Sequence, residues 1–183
     1  MKTLRKSTIL FMALAVFAMI LTGCKKDSSS SSGNGGGGGN NVPTGNYGTV
    51  TVAGQSYTIA LGGYDAWYEE EDQQYYLSII LADRANIQTA NMVELTIVGA
   101  QSLPANGTYN YTIDDPMPVG SCGGMFESQQ NGALICLEGT LTVSGTASNY
   151  TINTSGSATP MGQGYGQEIA FNVHFEGPLV QGK

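Results

Sequence analysis

Short runs in which apolar and polar residues alternate dominate the chain from Tyr47 onward. Four apolar residues of the run 75–81 fall on one face of a strand, and so do four of the run 169–175. A period of two predicts strands with one buried face and one wet face, which is typical of antiparallel sheet. Residues 138–179 contain three such runs and predict a three-stranded meander.

Helical periodicity is not sustained over three turns anywhere after Gly45. The six prolines all fall outside the alternating runs, as expected because proline lacks the backbone donor that a sheet requires. We therefore predict a single all-β domain over residues 46–183. About eight to ten strands of this length close as an antiparallel sandwich or as an up-and-down, lipocalin-like barrel.

The front of the chain has a different composition. Three basic residues precede an apolar run over residues 9–21, and two small residues then lead to Cys24. As a helix the apolar run would be about 20 Å long, which is too short for the roughly 30 Å hydrocarbon core of a bilayer. The pattern predicts a signal peptide over residues 1–23.

Residues 21–24, Leu-Thr-Gly-Cys, resemble the bacterial lipobox, whose cysteine takes a diacylglyceryl group and becomes the new N-terminus. The resemblance implies that Cys24 is acylated and that its acyl chains hold the protein on the outer membrane. Residues 24–45 are rich in Ser, Gly and Asn and predict a flexible linker. The Lys-Lys-Asp directly after the cysteine is similar to the same region of Bacteroidota-type lipoproteins. It implies exposure at the cell surface, with the periplasmic side as the alternative.

The predicted domain is strongly acidic. Arg84 and Lys183 are its only basic residues, and Asp27 is the only one of the fourteen acidic residues that precedes it, which gives a net charge of −11. Nucleic-acid binding needs clustered Lys and Arg to contact phosphates, so this class of function is excluded. The same charge argues against the domain lying on an anionic membrane surface.

Two cysteines, Cys122 and Cys136, remain after Cys24 is acylated. Beyond the cytoplasmic membrane oxidation is favoured. A bridge would close a loop of about fifteen residues, which contributes about 3 kcal/mol in the chain-entropy account. We expect a structural disulfide, with two reduced cysteines as the alternative. The spacing is not that of a Cys-x-x-Cys redox or metal motif.

Residues 64–76 predict a β-hairpin with an acidic tip. Four adjacent carboxylates repel one another unless they lie in water or hold a cation. The tip is therefore either a solvated end that blocks aggregation or a Ca²⁺ site. The residues concerned are Glu69, Glu70, Glu71 and Asp72.

Aromatic residues occur on both predicted faces of this hairpin, and only one face can enter the core. Aromatic rings beside carboxylates and amides are typical of sites that stack sugar rings and hold hydroxyl groups. Ordinary core and cross-strand packing is the alternative. The candidate ligand-binding residues are Tyr64, Asp65, Trp67, Tyr68, Tyr75 and Tyr76.

Candidate catalytic chemistry is sparse. His174 is the only histidine, its register places it on the solvent face, and no strand–turn–helix elbow presents a serine. We therefore expect a non-enzymatic outer-membrane lipoprotein that acts as a binding or interaction domain, without a cofactor apart from the possible Ca²⁺. The ligand would be a glycan, a small apolar molecule or a protein partner. The alternatives are a structural accessory subunit of a surface complex and a carboxylate-based glycoside hydrolase.

Overall fold

The computed structural model has eleven strands and no helix in the residues that it describes. These residues are 44–182 without 87, 103, 105, 131, 147 and 163–166. The strands are β1 (Gly48–Val52), β2 (Gln55–Ile59), β3 (Leu61–Glu69), β4 (Gln74–Ala82), β5 (Met92–Val98), β6 (Gly107–Tyr111), β7 (Ser121–Ser128), β8 (Gly132–Thr146), β9 (Asn149–Pro160), β10 (Ile169–Gly177) and β11 (Val180–Gln181).

All eleven strands belong to one sheet, in the order β11-β3-β4-β5-β7-β6-β8-β9-β10-β1-β2. The sheet is strongly curled and forms a half-barrel. The predicted all-β class is confirmed, and the predicted meander is present as β8, β9 and β10. The sheet has one strand more than the upper end of the predicted range. It is also not wholly antiparallel, because β6 pairs with β7 and β11 pairs with β3 in parallel.

One residue, Ala60, joins the two ends of the curled sheet. β2 pairs with β1 at one end, whereas β3 pairs with β4 and β11 at the other. The Ala60 N–H donates to the carbonyl oxygen of Ala82 over 2.8 Å, and the Tyr47 N–H donates to that of Ile59 over 2.9 Å. Because a single residue links β2 to β3, the two ends of the curled sheet lie next to each other at Ala60.

The long strand β8 bends at a β-bulge between Cys136 and Glu138. Gly139 follows the bulge with a φ of 127°, in a region that favours glycine. Gly156 lies opposite Gly139, and a Cβ atom on Gly156 would collide with the carbonyl oxygen of Glu138. Two facing glycines beside a bulge let β8 and β9 coil closely and give the sheet its curvature.

Side chains from opposite walls meet inside the half-barrel. The ring of Phe171 on β10 lies 4.8 Å from that of Phe126 on β7 and 5.8 Å from that of Tyr111 on β6, between centroids. Neither strand neighbours β10 in the sheet. The Tyr111 hydroxyl lies 2.7 Å from Oγ1 of Thr154, which donates to the carbonyl oxygen of Thr140. These contacts fill the centre of the barrel.

A depression of about 10 Å³ lies between β1, β2 and the ends of β4, β5 and β7. Apolar side chains, including Val52, Ile59 and Leu81, line its inner wall. This volume corresponds to the room that one water molecule needs, whereas small-molecule sites occupy about 300–1,000 Å³. The depression therefore cannot hold the small apolar ligand that the sequence allowed, and such a ligand would have to bind elsewhere.

Candidate functional site

The predicted aromatic hairpin is formed by β3 and β4. Its register pairs Trp67 with Tyr76 and Tyr68 with Tyr75. Successive side chains of a strand point to opposite faces, so the first pair lies on the outer face of the sheet and the second on the core-facing side. The prediction that both faces of the hairpin carry aromatic residues is confirmed.

On the core-facing side, the exposure of the aromatic residues depends on how close they lie to the hairpin tip. Tyr64 is buried in the core, with 8% of its surface exposed. Tyr68 and Tyr75 lie closer to the hairpin tip, beyond the core, and are 48% and 39% exposed. Their ring centroids are 4.9 Å apart, and the ring planes are inclined by 57°. The structure therefore presents these two tyrosines to solvent as a pair.

On the outer face Trp67 stacks on Tyr76, with ring centroids 5.7 Å apart. Tyr76 is buried, and its hydroxyl donates a hydrogen bond of 2.7 Å to Oδ2 of Asp72. Burial raises the pKa of Tyr76, and the hydrogen bond to Asp72 and the nearby carboxylates Glu69 and Asp115 raise it further. The phenol stays protonated and acts as a donor, so this pair supports the hairpin from outside.

A segment between β6 and β7, the strap (residues 112–120), crosses the outer face of the sheet. Gly123 faces outward on β7, and the Sδ atom of Met117 lies 3.1 Å from the position that a Cβ on Gly123 would take. Asp115 lies near enough to Tyr76 to raise its pKa. The strap therefore brings negative charge near Tyr76, whose ring is buried although it lies on the outer face.

The four acidic residues of the tip do not converge. Glu70 and Glu71 are exposed, and Glu69 and Asp72 are half-buried, with Asp72 turned toward the Tyr76 hydroxyl. Within the described part of the chain, no group of three or more acidic, histidine or cysteine side chains could hold a metal ion. The structure therefore does not bring the four carboxylates together, and the Ca²⁺ site stays a prediction.

The far edge of β3 is only partly covered by another strand. β11 reaches as far as Tyr64, whose carbonyl oxygen accepts the N–H of Gly182 over 2.8 Å. The next N–H on this edge, that of Ala66, donates to Oδ1 of Asp65 over 2.9 Å. Backbone groups of alternate residues point to the same side, so those of Tyr68 also point to this edge. Among the described strands, none pairs with β3 there.

The predicted disulfide between Cys122 and Cys136 is not formed, because both cysteines are free and buried. The pairing of Met125 with Ile135 places Cys136 beside Gly124, and its Sγ atom lies 2.7 Å from the Cβ position of that glycine. Cys122 is two residues away along β7, and at its level β7 pairs with β6 and not with β8. The register therefore does not place the two cysteines opposite each other.

The thiols of Cys122 and Cys136 are also unreactive. Burial raises the pKa of Cys122 to about 12. Burial raises the pKa of Cys136 as well, and the neighbouring Cys122 contributes to that shift. A thiol reacts and binds metals as the thiolate, so these two side chains act as core residues.

Glu94 of β5 is a buried acid that the sequence pattern did not single out. It is 6% exposed, its Oε1 accepts a hydrogen bond of 2.9 Å from the Ser78 hydroxyl, and its Oε2 has no hydrogen-bond partner. Burial raises the pKa of Glu94, and the neighbouring Glu127 adds to the shift. The alternation of apolar and polar residues predicts that Glu94 lies on the solvent-exposed face of β5, because nothing in the local sequence shows that this face is covered.

Two other polar groups have local partners. His174 lies on the outer face, as predicted, with its Nδ1 atom 2.7 Å from Oδ1 of Asn153. Arg84 is held by Asp83, whose Oδ2 lies 2.9 Å from its Nη2 atom. Arg84 is also the only Lys or Arg among the described residues.

Comparison of the chain with protein-family models, curated proteins and solved structures finds no match. No helix within the described ranges is long and apolar enough to cross a membrane. The predicted signal peptide, Cys24 and the linker up to residue 43 lie outside the described residues.

Proposed function

We propose that the chain is a non-enzymatic binding domain that contacts its ligand or partner with the Tyr68–Tyr75 pair. The exposure of this pair carries the proposal. Two adjacent tyrosines, 48% and 39% exposed, extend beyond a barrel whose centre is filled. Tyrosine gives a large contact area with a polar end, and it is enriched at binding interfaces.

The proposed place of action is the outer membrane, with the domain on the cell-surface side. The resemblance of residues 21–24 to a lipobox supports acylation at Cys24, and the Ser- and Gly-rich linker gives the domain reach from the bilayer. The bilayer is then a partner through the acyl chains alone. The acidic domain itself would be repelled by anionic headgroups.

Two ligand classes suit the exposed pair. A glycan would stack a sugar ring on Tyr68 or Tyr75 and donate hydroxyl protons to the exposed Glu70 and Glu71. A protein partner is the second candidate, which agrees with the role of an accessory subunit in a surface complex. The uncovered edge of β3 favours this second candidate, because an open strand edge offers backbone hydrogen bonds that a glycan does not need.

The experiment is a binding screen of the lipidated protein in detergent on glycan and peptide arrays. The wild type is compared with the double variant Tyr68→Ala/Tyr75→Ala and with Met161→Ala. Met161 is a fair control, because it is 43% exposed and bonds to Ala133 at the opposite end of the barrel. A ligand that loses about tenfold in affinity with the double variant alone supports the proposal. If every ligand binds the double variant as it binds the wild type, the proposal is wrong.

A further inference from the structure

We propose that the hairpin docks an extended, lysine- or arginine-bearing segment of a partner polypeptide, which adds as a strand to the free edge of β3. This inference rests on the proposed role of the Tyr68–Tyr75 pair, and it names the chemistry and the binding mode of the partner. An open backbone edge, exposed rings beside it and negative charge around it support the inference together.

The backbone edge is the first observation. β11 already occupies this edge as far as Tyr64, which shows that the edge accepts a strand. Asp65 satisfies the N–H of Ala66. No strand among the described residues pairs with the Ala66 carbonyl or with the two backbone groups of Tyr68, which are the groups that a partner would use. An extended segment that continues the sheet beyond β11 would pair with them. In such strand addition the main-chain hydrogen bonds provide affinity and the side chains provide specificity.

The exposed rings lie where side chains of the added strand would fall. Tyr68 is on the strand that forms the edge, and Tyr75 is its cross-strand neighbour, with ring centroids 4.9 Å apart. A residue opposite Tyr68 on the docked strand would lie about 4.5–5.5 Å away between Cβ atoms. A lysine or arginine at that position can place its charge over a tyrosine face.

The negative charge at the hairpin end of the sheet favours a basic partner. Glu69, Glu70, Glu71 and Asp72 form the tip, and the Tyr76 hydroxyl bonds to Asp72. Asp115 of the strap adds negative charge near the same tyrosine. The only Lys or Arg in the described part of the chain, Arg84, is bound to Asp83 beyond the opposite end of β4. A basic segment would reduce the repulsion among these carboxylates, and their negative charge would attract it to the edge of β3. An acidic segment would be repelled.

The test uses the lipidated protein in detergent and a fluorescent synthetic peptide of alternating lysine and threonine. Two matched peptides serve as controls. One carries glutamate in place of each lysine, and the other keeps every lysine but has N-methylated backbone amides, so it cannot donate hydrogen bonds to a strand edge. We expect the lysine peptide to bind at least about tenfold more tightly than either control, by anisotropy, and to weaken with added salt.

Variants of Tyr68 separate the ring from the backbone. The Tyr68 N–H points away from β4, so Tyr68→Pro removes an edge donor without breaking the β3–β4 ladder, and proline is tolerated on edge strands. We expect Tyr68→Ala to weaken binding of the lysine peptide about tenfold and Tyr68→Pro to weaken it several-fold more. Glu70→Gln/Glu71→Gln should also weaken binding, whereas Glu168→Gln/Glu176→Gln, which alters exposed acids elsewhere, should not.

Three results would overturn the inference. Equal binding of the lysine and glutamate peptides, or binding of neither, would exclude a basic partner. Equal binding of the N-methylated peptide would exclude strand addition even if Tyr68→Pro did not fold. A neutral glycan that requires Tyr68 and Tyr75, together with no binding of the lysine peptide, would also reject the inference while leaving the proposed function intact.

Discussion

The indole ring of Trp67 lies almost parallel to the ring of Tyr76, with 16° between the ring planes and 5.7 Å between the centroids. This stack covers Tyr76, which also bonds to Asp72. It divides the aromatic residues of the hairpin into an outer pair that supports the fold and a tip pair, Tyr68 and Tyr75, that is open to solvent. Substitutions in the outer pair should therefore change the stability of the domain, and substitutions in the tip pair should change binding.

Trp67→Ala should lower the free energy of unfolding by about 2–3 kcal/mol, somewhat less than for a fully buried aromatic residue, because Trp67 is half-buried. Tyr68→Ala removes a ring that is half exposed and should cost less than about 1 kcal/mol. Urea unfolding of both variants measures the difference. If Tyr68→Ala proved the more destabilising of the two, this division of the hairpin would be incorrect.

Gly124→Ala tests whether the interior is filled. A Cβ at Gly124 would lie 2.7 Å from Sγ of Cys136 and 2.8 Å from Cε1 of Tyr111, so we expect a loss of about 1–3 kcal/mol from overpacking. Gly123→Ala is the matched control, because its new methyl group faces outward against the flexible side chain of Met117. Thermal unfolding compares the two variants. A Gly124→Ala protein as stable as the wild type would indicate unfilled space inside the barrel.

The two core cysteines should be protected as free thiols. Burial holds the pKa of Cys122 near 12, so neither cysteine should react with iodoacetamide at about pH 8 while the domain is folded. Unfolding without a reductant should then expose two reactive thiols per chain. Mass spectrometry counts the labels. Labelling that appears only after reduction would show a disulfide and would contradict the two free thiols of the structure.

Glu94 should make the domain less stable as the pH rises. Its pKa is raised in the folded state by burial, so its stabilising contribution is complete below the unfolded pKa of about 4.3 and is lost as the pH rises through the folded pKa. Glu94→Gln cannot ionise, and its stability relative to the wild type should therefore improve as the pH rises above about 4.3. Glu176→Gln, which alters an exposed acid, is the control. A pH-independent difference for Glu94→Gln would show that this carboxyl does not titrate as described.

The alternating runs predicted the strands well where one face is wet. On β10 the residues Phe171, Val173 and Phe175 are buried and those between them are exposed, as the period of two requires. The same rule fails on β4, where Tyr76, Ser78 and Ile80 are buried on the outer face. Alternation records only the local sequence, and burial by a distant segment such as the strap leaves no local signal.

Strand register and the closure of the sheet explain the other features that the sequence did not predict. The spacing of Cys122 and Cys136 suits a bridge, but a bridge also depends on which residues of β7 and β8 lie opposite each other. The aromatic pattern predicted two faces for the hairpin, whereas the exposure of Tyr68 depends on how far the hairpin extends beyond the core. The closure at Ala60 depends on the pairing of β1 with β10, two segments that are distant in sequence. Tertiary contacts determine all three features.

The most direct test of the account is photo-crosslinking in intact cells, with a photoreactive amino acid placed at position 68 or, as the control, at position 161. Both side chains are exposed, and they lie at opposite ends of the barrel. We expect a discrete cross-linked product from position 68 that is weakened by Tyr75→Ala, and no such product from position 161. The same products from both positions, or a product from position 161 and none from position 68, would contradict the claim that the Tyr68–Tyr75 pair is the contact surface.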